Sequence, residues 1–590
     1  MAALFTTPKR NDKTSGAHFV EPDVRRRTLL AHGSWRRVTR RIVVGAVCAL
    51  TASSLLMPSV SLAAEWVNVG GAQYNYGTAA GDAAGTWSWD GADDMKLNGY
   101  NGGAIEAEGK LNVTYSGNNT VTNDNGRGIL VMDGNTENAE LNIQGDASST
   151  LNVTSSGDAI MSEGDINIDG AGTVNATSTE HDAIDAKSNL TIKGSGNVNA
   201  TGDSDGIRAD DNITIDNSGT VTAKATEDQG IDAHEHLTIK GGGKVEASSI
   251  EDVAIWADGN IEISGGSQVK ANSEEDSAVE AKGGLAVTNA SLNANGAGYG
   301  VYTYKGITLD GVTVTVRASA GSGEASALFT DEDDIFIKNG SIVDAFAEGQ
   351  FSTAISTRNY NPNEAGGHIY ISDSVVKAIA RYVESGSDGP DHYSNDQSGE
   401  VIPEHRGVNI GIFARTEEGI TPATISIVRS KVTAEGDTAA IFALATSADG
   451  ETIGTIEIEG APIQTPTGGK IIGYRNKEER DDGIFYEVGQ TIGTGDAVID
   501  SPYNEAVAKS TAIVPPEETK PEEKPGETKP EGSKSEGTKT TKTVAVAATG
   551  AKTTGKLAAT GDASSAAIVA AAFAGTAAIA AGAVVSRKRS

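Results

Sequence analysis

The sequence predicts an all-β chain built around a parallel β-helix solenoid, and a period, an alternation and a punctuation carry that expectation. A branched aliphatic residue recurs at Ile105, Ile129, Ile160, Ile184, Ile207, Ile231, Ile255, Val279 and Val301, in steps of 22 to 24 residues apart from one of 31. A fixed period of this length marks a solenoid, in which each unit stacks on the one before it. Within a unit three short runs alternate: Ile184 with Ala186, Leu190 with Ile192, Val198 with Ala200, then Ile207/Ala209, Ile213/Ile215 and Val221/Ala223. Period-2 alternation is the signature of a strand with one face buried, and three strands per coil would stack at ~4.8 Å with Ile over Ile and Val over Val. Gly, Asn, Asp and Ser fill the joints, where the chain has to turn.

The segments follow in order. Residues 1–64 carry ten Lys/Arg against three Asp/Glu, then an apolar stretch from Ile42 to Met57, then Ser61-Leu62-Ala63-Ala64. That is the layout of a signal peptide with a long basic n-region. Thr39-Arg40-Arg41-Ile42-Val43-Val44 fits a loose twin-arginine pattern, so general secretory and twin-arginine export both stay open. The single cysteine, Cys48, falls inside this segment, and the exported chain must hold together through its core or a bound metal without disulfides. Residues 65–103 hold Trp66, Trp87 and Trp89, which read either as a cap over the first open coil or as a sugar platform. The regular β-helix occupies 104–345, with Asn135–Glu140 as a loop inserted into one coil. Over 346–514 the repeat loosens into irregular coils with insertions. Gly411-Ile412-Phe413-Ala414 and Ala440-Ile441-Phe442-Ala443 mark two of these coils, and Ser385–Arg406 reads as a loop.

From 515 to 556 Pro, Glu, Lys and Thr dominate, and such a stretch forms an extended, solvated stalk. Residues 563–586 are uncharged and rich in Ala and Val; as a helix they would reach ~36 Å, enough to cross a bilayer. The tail 587–590, Arg-Lys-Arg-Ser, favours a cytoplasmic end. Just before the apolar run, Leu557, Ala558, Ala559, Thr560 and Gly561 resemble the LPXTG pentapeptide of sortase substrates in Gram-positive bacteria, with Ala558 where Pro is usual, an LAXTG variant. The resemblance implies a membrane-held precursor, cleavage after Thr560 by a sortase, covalent attachment to peptidoglycan, and a final location outside the cell on the wall.

The net charge of −33 argues against binding nucleic acid by charge attraction. It favours cations, basic partners, or polyanions bridged by cations. Outward positions of the first strand in each coil form two rows. Met161, Asp185, Arg208, Asp232, Trp256, Glu280 and Tyr302 make one, and Glu163, Lys187, Asp210, His234, Asp258, Lys282 and Tyr304 the other. Mixed carboxylates, bases and aromatics at ~4.8 Å spacing suit a long sugar chain, with Asp185, Lys187, Arg208, Asp232, His234, Trp256, Tyr302 and Tyr304 as the candidate carbohydrate-binding residues. An ordinary solvated sheet face is the alternative. Acidic turns precede the same strand, and Asp182, Asp203, Asp205, Asp228, Asp252 and Asp276 either form an oxygen-rich calcium site or keep the solenoid edge soluble.

His234-Glu235-His236 lacks a readable fourth zinc ligand and reads as a surface turn. There is no Gly-x-Ser-x-Gly elbow and no His-Glu-x-x-His, so no enzyme is expected; Arg208 beside Asp205, Asp210 and Asp232 is the one combination a lyase base would need. The run Asp205–Ala223 resembles a coil of bacterial carbohydrate-binding right-handed β-helix domains related to polysaccharide lyases. That resemblance covers roughly residues 100–340 and implies a pectate-lyase-like solenoid that binds calcium and acidic polysaccharide. The resulting expectation is a wall-anchored surface protein that binds a polysaccharide or host glycan. An adhesin for host protein or mucin and a polysaccharide lyase are the alternatives.

Overall fold

The computed structural model describes residues 64–134, 139–361, 366–383, 409–417, 419–436, 438–448, 450–460, 463–465, 471–480, 483–492 and 510–513. The export segment up to residue 63, the Ser385–Arg406 loop, the stalk, the sorting pentapeptide, the apolar run 563–586 and the basic tail lie outside the described residues.

Among the described residues every regular element is a strand. One coil shows the plan: Ile184–Ala186, Leu190–Gly194 and Asn197–Thr201, followed in the next coil by Ile207–Ala209, Ile213–Asn217 and Thr220–Lys224. Each strand pairs in parallel with its counterpart one coil on, so that Ile184 meets Ile207, Leu190 meets Ile213 and Val198 meets Val221. The aliphatic ladder expected from the period is present residue for residue, from Ile105 through Ile129, Ile160 and Ile184 to Val279 and Val301. It continues through Leu328, Ile355, Ile412 and Ile441. Ile184, Ile207, Ile231 and Ile255 are fully buried, and such side chains stabilise the fold by roughly 1.5–3 kcal/mol each through burial.

Local chemistry sets the coil corners. The residue just before the ladder position is Gly or Ala in coil after coil, because the neighbouring backbone crowds it: a Cβ on Gly206 would stand 2.6 Å from the Gly230 carbonyl oxygen and the Lys224 nitrogen. At the far corner Gly170 and Gly194 take φ of 108° and 101°, which L side chains rarely adopt, and turn the second strand into the third.

Both ends of the stack carry antiparallel strands. Trp66–Val69 runs antiparallel to Ala72–Asn75 on one side and to Ile105–Glu108 on the other. Trp87 and Trp89 turn inward, with Trp89 only 1% exposed, and Trp66 Nε1 donates to Glu108 at 2.6 Å. Their buried rings are closed to a sugar, which corrects the sugar-platform reading for Trp87 and Trp89. At the other end Gly483–Ile492 lies antiparallel between Ala439–Ser447 and Ile471–Arg480.

The late coils depart from the regular plan for a visible reason. Thr313–Thr330 and Ile342–Asn359 are strands of 18 residues, each carrying the third strand of one coil straight into the first strand of the next. The pairing of these two strands shifts register between Ala320 and Glu324, where earlier coils break the strand with an acidic turn.

Candidate functional site

The first strand of each coil, together with the turn before it, builds the surface with the richest chemistry. Parallel registration stacks Met161, Asp185, Arg208, Asp232, Trp256, Glu280 and Tyr302 in one outer row, as their spacing predicted, and Phe329 extends it. Their environment differs from the expectation of an open face. Asp185 is 2% exposed and Asp232 5%, and Met161 and Tyr302 are also buried, so the row is sheltered by the flanking turns and by the longer side chains of the second row. In the second row Glu163, Asp258 and Lys282 are exposed, and Lys187, Asp210, His234 and Tyr304 are half-buried.

The turn contributes a further column. The amide of the residue before each ladder position donates to the carbonyl of the residue two before it in the next coil, through Gly128 to Asp158, Ala159 to Asp182 and Ala183 to Asp205. Arg127, Asp158, Asp182 and Asp205 are thereby stacked, followed by Gln229, Val253, Ser277 and Tyr299. Asp158, Asp182 and Asp185 each bring one carboxylate oxygen to a set in which all three lie within 4.8 Å of one another. One oxygen of Asp158 accepts from Arg127 Nε at 2.7 Å, one of Asp182 from the Asp205 amide at 3.0 Å, and Asp185 Oδ2 pairs with Lys187 Nζ at 2.7 Å. Asp185 Oδ1 is buried without a hydrogen-bond partner. Burial, followed by the Asp185 charge, pushes the Asp182 carboxyl up to about 6. Burial and then Asp182 drive Asp205 well above the usual carboxylate range, and burial also raises Asp185.

The remaining metal candidates do not join this set. Asp252 Oδ1 caps the Val253 amide at 2.7 Å and Asp276 Oδ1 caps the Ser277 amide at 2.6 Å, so these carboxylates hold turns together. Asp203 and Asp228 sit earlier in their turns, and their backbone carbonyls accept bonds from Glu227 and from the Ser249 hydroxyl. The sequence pattern pooled these acids because it could not tell which of two adjacent turn positions faces the strand. Asp158 was missed because its turn, Ser156-Gly157-Asp158, lacks the acidic doublet that drew attention elsewhere.

Arg208 sits among four carboxylates, at 3.1 Å from Asp210, 3.6 Å from Asp232, 3.9 Å from Asp182 and 4.0 Å from Asp205. Burial opposes its charge, but Asp185, Asp210 and Asp182 outweigh burial and raise its pKa further. A proton acceptor for a lyase needs the opposite environment. His234 Nε2 lies 2.9 Å from Asp232 Oδ2, a contact that favours its protonated form. Beyond Asp232 the row turns aromatic. Trp256 Nε1 donates to Asp258, Tyr302 stacks on Phe329 with centroids 5.4 Å apart, and the Tyr302 hydroxyl donates to Asp331 at 3.0 Å. Phe329, Asp331 and Arg358 belong to this end of the face, yet the irregular spacing of the late coils concealed them.

Residues 97–245 match one family model. Its description is "Carbohydrate-binding domain-containing protein", and the matched residues include the Asp158–Asp182–Asp185 set, Arg208, Asp232 and His234. No curated protein and no solved structure matches the chain.

Proposed function

We propose that the solenoid is a glycan-binding module displayed on the wall of a Gram-positive cell, with the sheltered first-strand face as its binding surface and calcium as its resident ion. The match over residues 97–245 supports the glycan-binding part of this reading, since it falls on the coils that hold the acidic half of that face, and the resemblance of Leu557–Gly561 to a sorting pentapeptide motivates the display part. Grouped acids, bases and aromatics along a stack of coils suit an extended polymer more than a compact ligand.

Asp158, Asp182 and Asp185 would hold the ion. Oxygens bind calcium at 2.3–2.6 Å, so ligands on opposite sides of one ion stand roughly 4.6–5.2 Å apart, and a set within 4.8 Å fits around it. The unpartnered Asp185 Oδ1 is the buried acceptor such an ion would satisfy. Arg127 and Lys187 already offset part of the charge, which places the expected affinity on the order of 10⁻⁴–10⁻³ M, as for other extracellular modules. The role is binding, with no catalytic step assigned.

Two experiments test the reading. Affinity electrophoresis against cellulose, chitin and polygalacturonate, with calcium and with chelator, is expected to retard the protein in at least one glycan; unretarded migration in all would sink the glycan role. For display, Thr560→Ala is expected to move the protein from the wall fraction, released by a muralytic enzyme, to the detergent-soluble membrane fraction. An unchanged wall fraction would exclude sortase attachment at this site.

A further inference from the structure

Two cations at the aromatic end of the face are held in the same way, each by a ring and a carboxylate. Lys282 Nζ lies 5.1 Å from the Trp256 ring centroid and 2.6 Å from Asp258 Oδ1. The Arg358 guanidinium lies 4.8 Å from the Phe329 centroid and 5.2 Å from that of Tyr360, with Nε 3.4 Å from Asp331 Oδ1. Between these two arrangements stands a third carboxylate flanked by rings. Glu280 pairs in register with Trp256 on one side and Tyr302 on the other, and Tyr299 stacks on Tyr302 at 5.1 Å. Glu280 is half-buried, its carboxylate accepts a hydrogen bond from the Ser277 side chain, and among the described residues it forms no ion pair; Lys282, the cation that acts on it, is engaged by Asp258. Asp276 and Asp252 add negative potential from the turns.

The cations elsewhere on the face are spent. Lys187 pairs with Asp185, Arg208 with Asp210 and Asp232, and Lys305 with Glu332. A sugar carboxylate or sulfate approaching the protein directly would meet an acidic surplus with its bases occupied, whereas a sugar ammonium would meet the ring-and-carboxylate geometry that already holds Lys282 and Arg358.

We propose that Glu280, framed by Trp256 and Tyr302, is a subsite for a protonated amine, so that the face takes glycans carrying free 2-amino sugars in preference to uronates. This rests on the glycan-binding reading and adds the class of glycan to it. Burial, followed by the Asp276 charge, holds the Glu280 carboxyl up at about 8, so near neutral pH the free protein carries a proton there. Docking an ammonium expels that proton. Asp252, Asp276 and Lys282 also face this carboxyl, and Tyr299 and Tyr302 frame it; none of them needs to change its protonation when the amine arrives.

The test is calorimetric titration of the purified intact chain with oligomers of glucosamine, N-acetylglucosamine and galacturonate, in calcium, repeated in two buffers of different ionisation heat. Glucosamine oligomers are expected to bind about tenfold more tightly than their acetylated counterparts, with proton release on binding. Glu280→Gln, which keeps the side chain's shape, is expected to erase both the preference and the proton release. Equal binding of the free and acetylated sugars, a preference for galacturonate, or a preference that survives Glu280→Gln overturns the amine subsite while leaving glycan binding in place. Binding of none of the three sugars also overturns the amine subsite, and it overturns glycan binding as well where cellulose fails to retard the protein.

Discussion

Arg208 and Asp232 hold the same outer position in consecutive coils, with the guanidinium Nε 3.6 Å from Asp232 Oδ2. The same guanidinium also faces Asp182 and Asp205, so one cation neutralises carboxylates from three coils. Replacing it with an uncharged side chain of similar length leaves those buried acids to repel one another. Arg208→Met is expected to destabilise the fold by on the order of 3 kcal/mol, read from denaturant unfolding. A change below about 0.5 kcal/mol would mean that the acids are neutralised by another group.

Calcium is expected to raise the thermal unfolding midpoint and chelator to reverse the rise. A ligand held only by the folded state stabilises it by about 2.7 kcal/mol at a hundredfold excess over its dissociation constant. The double variant Asp182→Asn with Asp185→Asn should lose the response, whereas Asp252→Asn, which alters a turn cap, should keep it. The reverse pattern would move the ion to the acidic turns.

Stability should also depend on pH through Glu280. Its carboxyl is raised from 4.5 to about 8 by burial and then by Asp276, so between those values the folded chain holds a proton that the unfolded chain has released. Its contribution is therefore fully present below about pH 4.5 and is lost as pH rises through 8. Glu280→Gln should flatten the unfolding midpoint against pH over this window, and unchanged curvature would assign the effect to other groups.

Core and surface positions within one coil should respond differently. Ile207→Ala empties a fully buried ladder site and is expected to cost about 2–5 kcal/mol. Thr214 points outward from the second strand and stacks only between Thr191 and Thr238, so Thr214→Ala should stay within about 0.5 kcal/mol. Comparable losses at both sites would contradict the inward and outward assignment.

Much of this architecture was readable because a stacked coil repeats its constraints. Each ladder position demands a branched aliphatic side chain and the corner before it a Gly or Ala, so the period appears directly in the residues from Ile105 to Val301. Where Thr313–Thr330 fuses two strands, the turn residues that punctuate the repeat vanish, and so does the signal. The outer rows were placed in the correct register, since alternation alone fixes which side chains point outward. Their shelter was not, because burial of Asp185 and Asp232 depends on neighbouring turns and on side chains such as Lys187. Likewise the acidic turns advertised carboxylates but not their aim: Asp182 faces the strand while Asp252 caps a backbone amide.

The outer row reads Met161, Asp185, Arg208, Asp232, Trp256, Glu280, Tyr302, Phe329 from one coil to the next, and as a whole it does not read the same in both directions. A sugar polymer also has a head and a tail. A face whose apolar, acidic and aromatic portions follow in fixed sequence along the axis distinguishes the two ways of laying such a polymer down. Bound chains should therefore share one polarity relative to the protein, so that the reducing end of a captured polymer would lie toward the same end of the stack of coils in every copy.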